Sequence, residues 1–315
     1  MAKQTAKWTA DRIPQQTGRR VLITGANSGI GFETALELAR KGAEIVLPAR
    51  STAKAQDAVD RIRREIPTAV VVPAVLDLAS QASVREFAAW FSAKYPGPSI
   101  DLLISNAGVM AIPQREVTVD GFERQFATNF LGPFALFALL YPHVRQQAGS
   151  RIVVVSSSVT KWGKLEFDNL QSEQRYKPMF QAYGQSKLAD SIFTLDLHRR
   201  LTAAASPVIV TSAHPGYAVT NLQTSGPGRR SLLIRMLEVP MKAMLSQSAA
   251  MGALPTLFAA TAPEAVAGGY YGPDGPFELK GYPKLVAIPP RAQDHADAQR
   301  LWREAEQLTR VAFRI

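Results

Sequence analysis

From residue 20 onward the chain alternates short apolar runs with amphipathic stretches, and this rhythm constrains the fold of its 315 residues more than any other feature. Val21–Thr24, Glu44–Ala49, Val70–Leu76, Ile100–Ser105, Ile152–Ser156 and Val208–Ser212 read as strands. Phe32–Arg40, Lys54–Ile66, Ser80–Tyr95, Gly121–Val144 and Tyr183–Leu201 read as the helices between them, with Ser80 as a cap. Strands this uniformly apolar need cover on both faces, as in a parallel sheet with helical crossovers. Right-handed crossovers make the sheet doubly wound, so the expected fold class is α/β, a Rossmann-like single domain. Pro73 offers no amide donor, and either weakens the third strand or places it near an edge. The boundaries read as an extension over 1–18, the domain over 19–290 and a helical tail over 291–315. In that tail Leu301, Ala305, Leu308 and Ala312 share one face.

Composition removes whole classes of chemistry. There is no cysteine, which excludes disulfides, thiolate nucleophiles, iron–sulfur clusters and cysteine zinc sites. The four histidines, at 143, 198, 214 and 295, lack metal-ligand spacing, so no metal is expected. A net charge of +10 favours an anionic partner. No clustered basic face or nucleic-acid motif is present, which leaves a phosphate-bearing cofactor or a membrane surface. The N-terminal stretch is polar, and the most apolar run, Phe130 to Leu140, is too short for a membrane helix and contains Pro133. A cytoplasmic protein is expected.

Thr24-Gly25-Ala26-Asn27-Ser28-Gly29-Ile30-Gly31 follows the first strand and opens the first helix. Gly25 allows a tight turn, Gly29 a close approach of backbone to pyrophosphate, and Gly31 close helix–strand packing. Asn27, Ser28 and Ile30 complete a cradle in which phosphates rest on free N–H groups at the helix start. After the second strand, where an NAD site carries an acid for the ribose 2′-hydroxyl, stands Arg50. Its planar fork suits a 2′-phosphate, so NADP(H) is expected in preference to NAD(H), although a solvated surface arginine would look the same. Asp77, with Leu78 after it, follows the third strand; it accepts from an adenine amino group or neighbours a helix cap.

Tyr183 and Lys187 lie four apart on one helix face. A phenol has a pKa of about 10, and an adjacent ammonium stabilises its phenolate, which suits it to proton transfer near neutrality. Ser157 follows the fifth strand, where its hydroxyl can bond a substrate oxygen; Ser156 and Ser158 are local competitors. Asn129 is polar in an apolar helix, and either holds a water in a proton relay or bonds to backbone.

With these motifs in order, the chain resembles the short-chain dehydrogenase/reductase family from about residue 15 to 270. The resemblance rests on the glycine motif from Thr24, on Asn106-Ala107-Gly108, on Ser157 and on Tyr183-x-x-x-Lys187. His-Pro215-Gly216 followed by Thr220 resembles the family's loop on the nicotinamide side. The resemblance implies Tyr183 as general acid/base, and Lys187 as binding nicotinamide ribose and lowering the tyrosine pKa. It implies that Ser157 orients substrate and Asn129 completes the relay, with Asn106, Ala107 and Gly108 supporting the sheet beside the cofactor. More narrowly, TGANSGIG, NFLGPF, the 161–182 insert and YGQSKLAD resemble the retinol-dehydrogenase and WW-domain-oxidoreductase branch.

Residues 221–246 hold Leu232, Leu233, Ile234, Met236, Leu237, Met241, Met244 and Leu245, flanked by Arg229, Arg230, Arg235 and Lys242. This suits a lid over an apolar alcohol or carbonyl substrate, an ordinary packed helix, or a surface against anionic membrane. Phe126, Phe130, Phe134 and Phe137 form either a subunit interface, giving a homo-oligomer, or a core face. The functional expectation is an NADP(H)-dependent oxidoreductase. The alternative is a non-catalytic NADP(H)-sensing scaffold, which has no need for Ser157, Tyr183 and Lys187 together.

Overall fold

Val21 and Ile23 bury on one face of the sheet and Leu22 on the other, and the same two-sided burial repeats in the neighbouring strands. Side chains alternate along a strand, so apolar residues at every position demand a layer of helices on each side. The computed structural model describes residues 7–218 and 246–315. Its strands are β1 (Arg20–Ile23), β2 (Glu44–Ala49), β3 (Val71–Val75), β4 (Leu102–Ser105), β5 (Arg151–Val155), β6 (Ile209–Ala213), β7 (Tyr270–Pro273) and β8 (Pro283–Leu285). They form one sheet in the order β3-β2-β1-β4-β5-β6-β7-β8, parallel throughout except for the antiparallel β7–β8 pair. Pro73 lies in the edge strand β3, as its missing donor requires. Strand order reverses between β1 and β4, which opens a crevice at their carboxyl ends.

The helices are α1 (Gly29–Arg40), α2 (Thr52–Glu65), α3 (Gln81–Lys94), a short α4 (Arg124–Phe126), α5 (Gly132–Leu140), α6 (Gly184–Ala203), α7 (Ala249–Thr261) and α8 (His295–Thr309). A π-turn, Ala127–Leu131, carries α4 into α5. Helices α1, α2 and α7 cover one face of the sheet, and α3, α5, α6 and α8 the other. Ser51 and Ser80 start α2 and α3 by accepting from the amides of Lys54 and Ser83.

The six expected strands are all present, with ends within two residues of those read from sequence. Helix α7 and strands β7 and β8 were not expected. Tyr-Tyr-Gly-Pro and Pro-Lys-Leu are too short, and too rich in Gly and Pro, to announce strands.

Phe126, Phe130, Phe134 and Phe137 are all buried in this chain's own core. The Phe134 ring lies 5.3 Å from Trp302 of α8 and 5.6 Å from Phe193 of α6. The tail helix thus covers the face that an interface would use, and the homo-oligomer expectation loses that support. Leu301 and Ala305 bury as expected, whereas Ala312 lies exposed beyond the helix end, and Trp302 and Phe313 fill the contact instead. At the other terminus Trp8 packs edge-on against Phe258 of α7 at 5.3 Å. Residues 221–245 of the expected lid, and Thr220, lie outside the described residues. Among the described residues no helix is long and apolar enough to cross a membrane.

Candidate active site

The loop between β1 and α1 is shaped for close approach. Gly25 has φ +69° and Gly29 φ +56°, in the left-handed region that glycine tolerates. A methyl group at Gly31 would run into the Asn106 amide and the Gly25 carbonyl. Ser28 caps α1 with its backbone alone, so its side chain takes none of the first-turn N–H groups. Those N–H groups sit at the positive end of a helix, and the donor set fits a pyrophosphate.

Asn106 and Ala107 close the floor of this cradle. Their backbone amides donate to Thr24 Oγ1 at 3.1 Å, and the Asn106 side chain donates to the Thr24 carbonyl at 3.0 Å. Gly108 continues the floor toward Asn129 and Lys187. Arg50, just past β2, is exposed, and no ion-pair partner for it is found among the described residues. Arg61 of α2 donates to the Asn27 carbonyl at 3.2 Å and lies over Phe32. Asp77 Oδ1 accepts from the Ala79 amide at 2.9 Å, a local turn that engages one carboxylate oxygen. Leu78 is buried in the core, which leaves only its backbone for a ligand.

Past β5 the structure separates the three serines. Ser156 is buried and donates to the Lys187 carbonyl at 3.0 Å. Ser157 is half-buried, and its Oγ accepts from the Val159 amide at 3.3 Å as cap of a 3-10 turn, so its hydroxyl hydrogen stays available. Lys187 Nζ returns the first bond by donating to the Val155 carbonyl at 2.9 Å. Strand end and helix turn are thereby zipped together, with Ser157 beside the join.

Tyr183 ends a π-turn, Pro178–Tyr183, that feeds α6. A chain of bonds holds it: Ser186 Oγ donates to the Tyr183 carbonyl at 2.8 Å, and Asn129 Nδ2 donates to Ser186 Oγ at 2.9 Å. Asn129 also pairs with both the amide and the carbonyl of Val109, at 2.8 and 2.9 Å. Both amide hydrogens of Asn129 are therefore spent, and the structure favours the backbone-bonding reading of its side chain over the water-holding one.

The polar 161–182 insert is not loose. Gln125 donates to the Pro178 carbonyl and Gln171 accepts from the Glu123 amide. Gln181 accepts from the Lys177 amide, while Gln185 accepts from Glu166 and donates to the Leu170 carbonyl. Gln125, Gln181 and Gln185 are buried, so each bond replaces water that the backbone would otherwise need.

Three groups went unnoticed in the sequence. Asp190, fully within the helix packing, lies 2.9 Å from Lys187 Nζ. Its i+3 spacing from Lys187 was the available signal. Burial alone would push the Lys187 ammonium down, but the Asp190 carboxylate and the Tyr183 phenol hold it above its ordinary value. Burial in turn pushes the Asp190 carboxyl up to about 6, with the Lys187 charge opposing.

His214 and Glu278 form the second group. Gly216 N–H donates to His214 Nδ1, so Nε2 carries the hydrogen and faces Glu278 at 3.1 Å. Burial keeps His214 below its usual pKa and neutral. Glu278 is held at about 2, first by the hydrogen bond from His214 and then, against burial, by Lys161 at 2.9 Å. Tyr270, the third, is buried and donates to the Ser157 carbonyl at 3.1 Å. Pro215 accepts from Gln247 at 2.7 Å and Gly216 turns at φ +63°, which places the loop after β6 beside this cluster.

The chain shares its sequence pattern and its fold with known proteins. The family profile described as short chain dehydrogenase matches residues 19–228. Retinol dehydrogenase 14 of Homo sapiens is 38% identical over 304 residues, covering 90% of this chain and 84% of that protein. Polyprenol dehydrogenase of Mus musculus is 37% identical over 303 residues, covering 94% of this chain and 85% of that protein. A crystal structure of an uncharacterized protein from Mycobacterium paratuberculosis superposes with a TM-score of 0.79 at 37% identity, covering 98% of this chain and all of that one. The chain belongs to the short chain dehydrogenase family, on the branch that includes the retinol dehydrogenases, and is an oxidoreductase of the alcohol–carbonyl type.

Proposed function

We propose that this chain is an NADP(H)-dependent oxidoreductase that interconverts an alcohol and a carbonyl group on an apolar small molecule. The observation that carries the reading is the convergence, along one sheet edge, of the glycine cradle with Ser157, Tyr183 and Lys187. Gly25 to Gly31 and Asn106 to Gly108 would hold the dinucleotide, with Arg50 against a 2′-phosphate. The nicotinamide supplies or accepts the hydride.

The chain's own residues handle the oxygen and the proton. Ser157 donates its hydroxyl hydrogen to the substrate oxygen, where negative charge grows during reduction. Tyr183 delivers the proton to that oxygen, or takes it away in the reverse direction. Lys187 supports the phenolate left behind with a charge held at the Val155 carbonyl. Asn129 contributes by bracing Val109 and Ser186, and so the turn that carries Tyr183.

Trp162 and Phe180 support an apolar substrate. They stand 62% and 63% exposed in an edge-to-face pair, on the two segments that follow Ser157 and precede Tyr183. Large exposed aromatics beside a polar centre mark a binding surface. In this reading the protein works in the cytoplasm on a small-molecule substrate. Turnover of aliphatic aldehydes of increasing chain length, with NADPH or NADH and followed at about 340 nm, tests it. Efficiency should rise with chain length, and Arg50→Ala should erode the NADPH preference by roughly tenfold to a hundredfold, the worth of a charge-assisted hydrogen bond. No turnover of any carbonyl would favour the scaffold reading.

A further inference from the structure

A buried carboxylate sits against the proposed proton-transfer pair and nothing in the mechanism above requires its charge. Asp190 Oδ2 accepts from Lys187 Nζ at 2.9 Å, with the two side chains 4% and 6% exposed. Lys187 Nζ also donates to the Val155 carbonyl at 2.9 Å. The ammonium is thus held by two acceptors, and the third of its N–H groups is engaged by neither. Among the described residues the charged or titratable groups acting on Lys187 are Asp190 and Tyr183. Tyr270 of β7 faces Tyr183 from the neighbouring strand, while Glu278 is engaged by His214 and Lys161.

We propose that Asp190 is a positioning residue of the reaction centre: its carboxylate orients the Lys187 ammonium and partly offsets the positive potential at the Tyr183 hydroxyl. The inference rests on the reading of Tyr183 and Lys187 as the proton-transfer pair. An ammonium without a nearby counter-charge would favour the phenolate more strongly. Asp190 therefore holds the lysine still while it tempers that charge. Lys187 stays a cation through the folded pH range, since Asp190 offsets the penalty of its burial.

Asp190→Asn keeps the shape and an acceptor but removes the charge, and Asp190→Ala removes both. With NADPH and an aliphatic aldehyde such as octanal, the Asn variant should displace the pH limb of kcat/KM by about one unit, with NADPH binding by its own fluorescence unchanged. The Ala variant should lose roughly tenfold or more in kcat, because its ammonium is no longer held, and Asn should restore most of that loss. Two variants that keep the unaltered pH limb and kcat would overturn the proposal. A reading that needs neither substitution nor turnover comes from 15N-lysine NMR of the unaltered protein. It should show one slowly exchanging ammonium that stays protonated at a pH where the surface lysines have begun to lose their protons. A neutral, freely exchanging Lys187 amine at that pH would overturn the role given to Asp190. A Tyr183→Phe variant as active as the unaltered enzyme would instead overturn the underlying reading.

Discussion

The halves of the molecule on either side of β4 are built by different means. Up to Gly108, backbone turns and caps set most positions, with the amides of Asn106 and Ala107 tying the floor to Thr24. The cradle is a glycine turn, serines cap α2 and α3, and the strands pair in simple parallel register. Beyond β4, placement depends on side chains reaching across the fold. Tyr183 is held through Ser186 and Asn129 by Val109, 74 residues earlier in the chain by its numbering. The 161–182 insert is pinned by glutamines from three segments, and the loop after β6 by a histidine–glutamate–lysine relay. Backbone turns and strand pairing shape the cradle, whereas the 161–182 insert and Tyr183 are held by side chains that reach across the fold.

The comparison predicts that the two halves fail separately. The largest effect is expected on the reaction side: Tyr183→Phe should lower turnover by roughly 10²–10⁴-fold in steady-state assays while NADPH binding stays nearly intact. Gly31→Ala should do the reverse. Its methyl collides with Asn106 and the Gly25 carbonyl, so NADPH affinity in a fluorescence titration should fall by about a hundredfold or more. A thermal melt would show whether the fold survives. Gln185→Leu strands the Glu166 amide and the Leu170 carbonyl, which costs roughly 1–3 kcal/mol in denaturant unfolding. Turnover should drop about tenfold with cofactor binding unchanged. Equal loss of binding and turnover in that variant would break the comparison.

The smallest effect concerns pH. Glu278 is held at about 2 against an ordinary 4.5, so its contribution to stability is complete above the unfolded value. That contribution is lost as pH falls through the interval toward about 2. Melting temperatures should therefore decline on acidification below about 4.5, and Glu278→Gln should flatten part of that decline.

Much of this was legible in the sequence, and the reasons are physical. Two-sided apolar strands and serine caps are local signals, so β1 to β6 and the helices between them could be read directly. The cradle, Arg50, Ser157, Tyr183 and Lys187 carry residue types tied to particular chemistry at fixed spacing. Strands β7 and β8 could not be read, because they are short additions stabilised by pairing to β6. Trp302 and Phe313 escaped notice because burial there depends on which helices the tail meets. Asp190 was missed because a charged residue on a helix usually faces water, and only packing on all sides makes it a partner for Lys187.

The central claim is that one sheet edge brings together a phosphate cradle and a proton-transferring tyrosine. A crystal structure of the protein with bound NADP measures this most directly. It should show the pyrophosphate against Gly25–Gly31, the 2′-phosphate against Arg50, and the Ser157 and Tyr183 hydroxyls facing the nicotinamide ring. A ring pointing away from Tyr183, or a pyrophosphate bound elsewhere, would contradict the account.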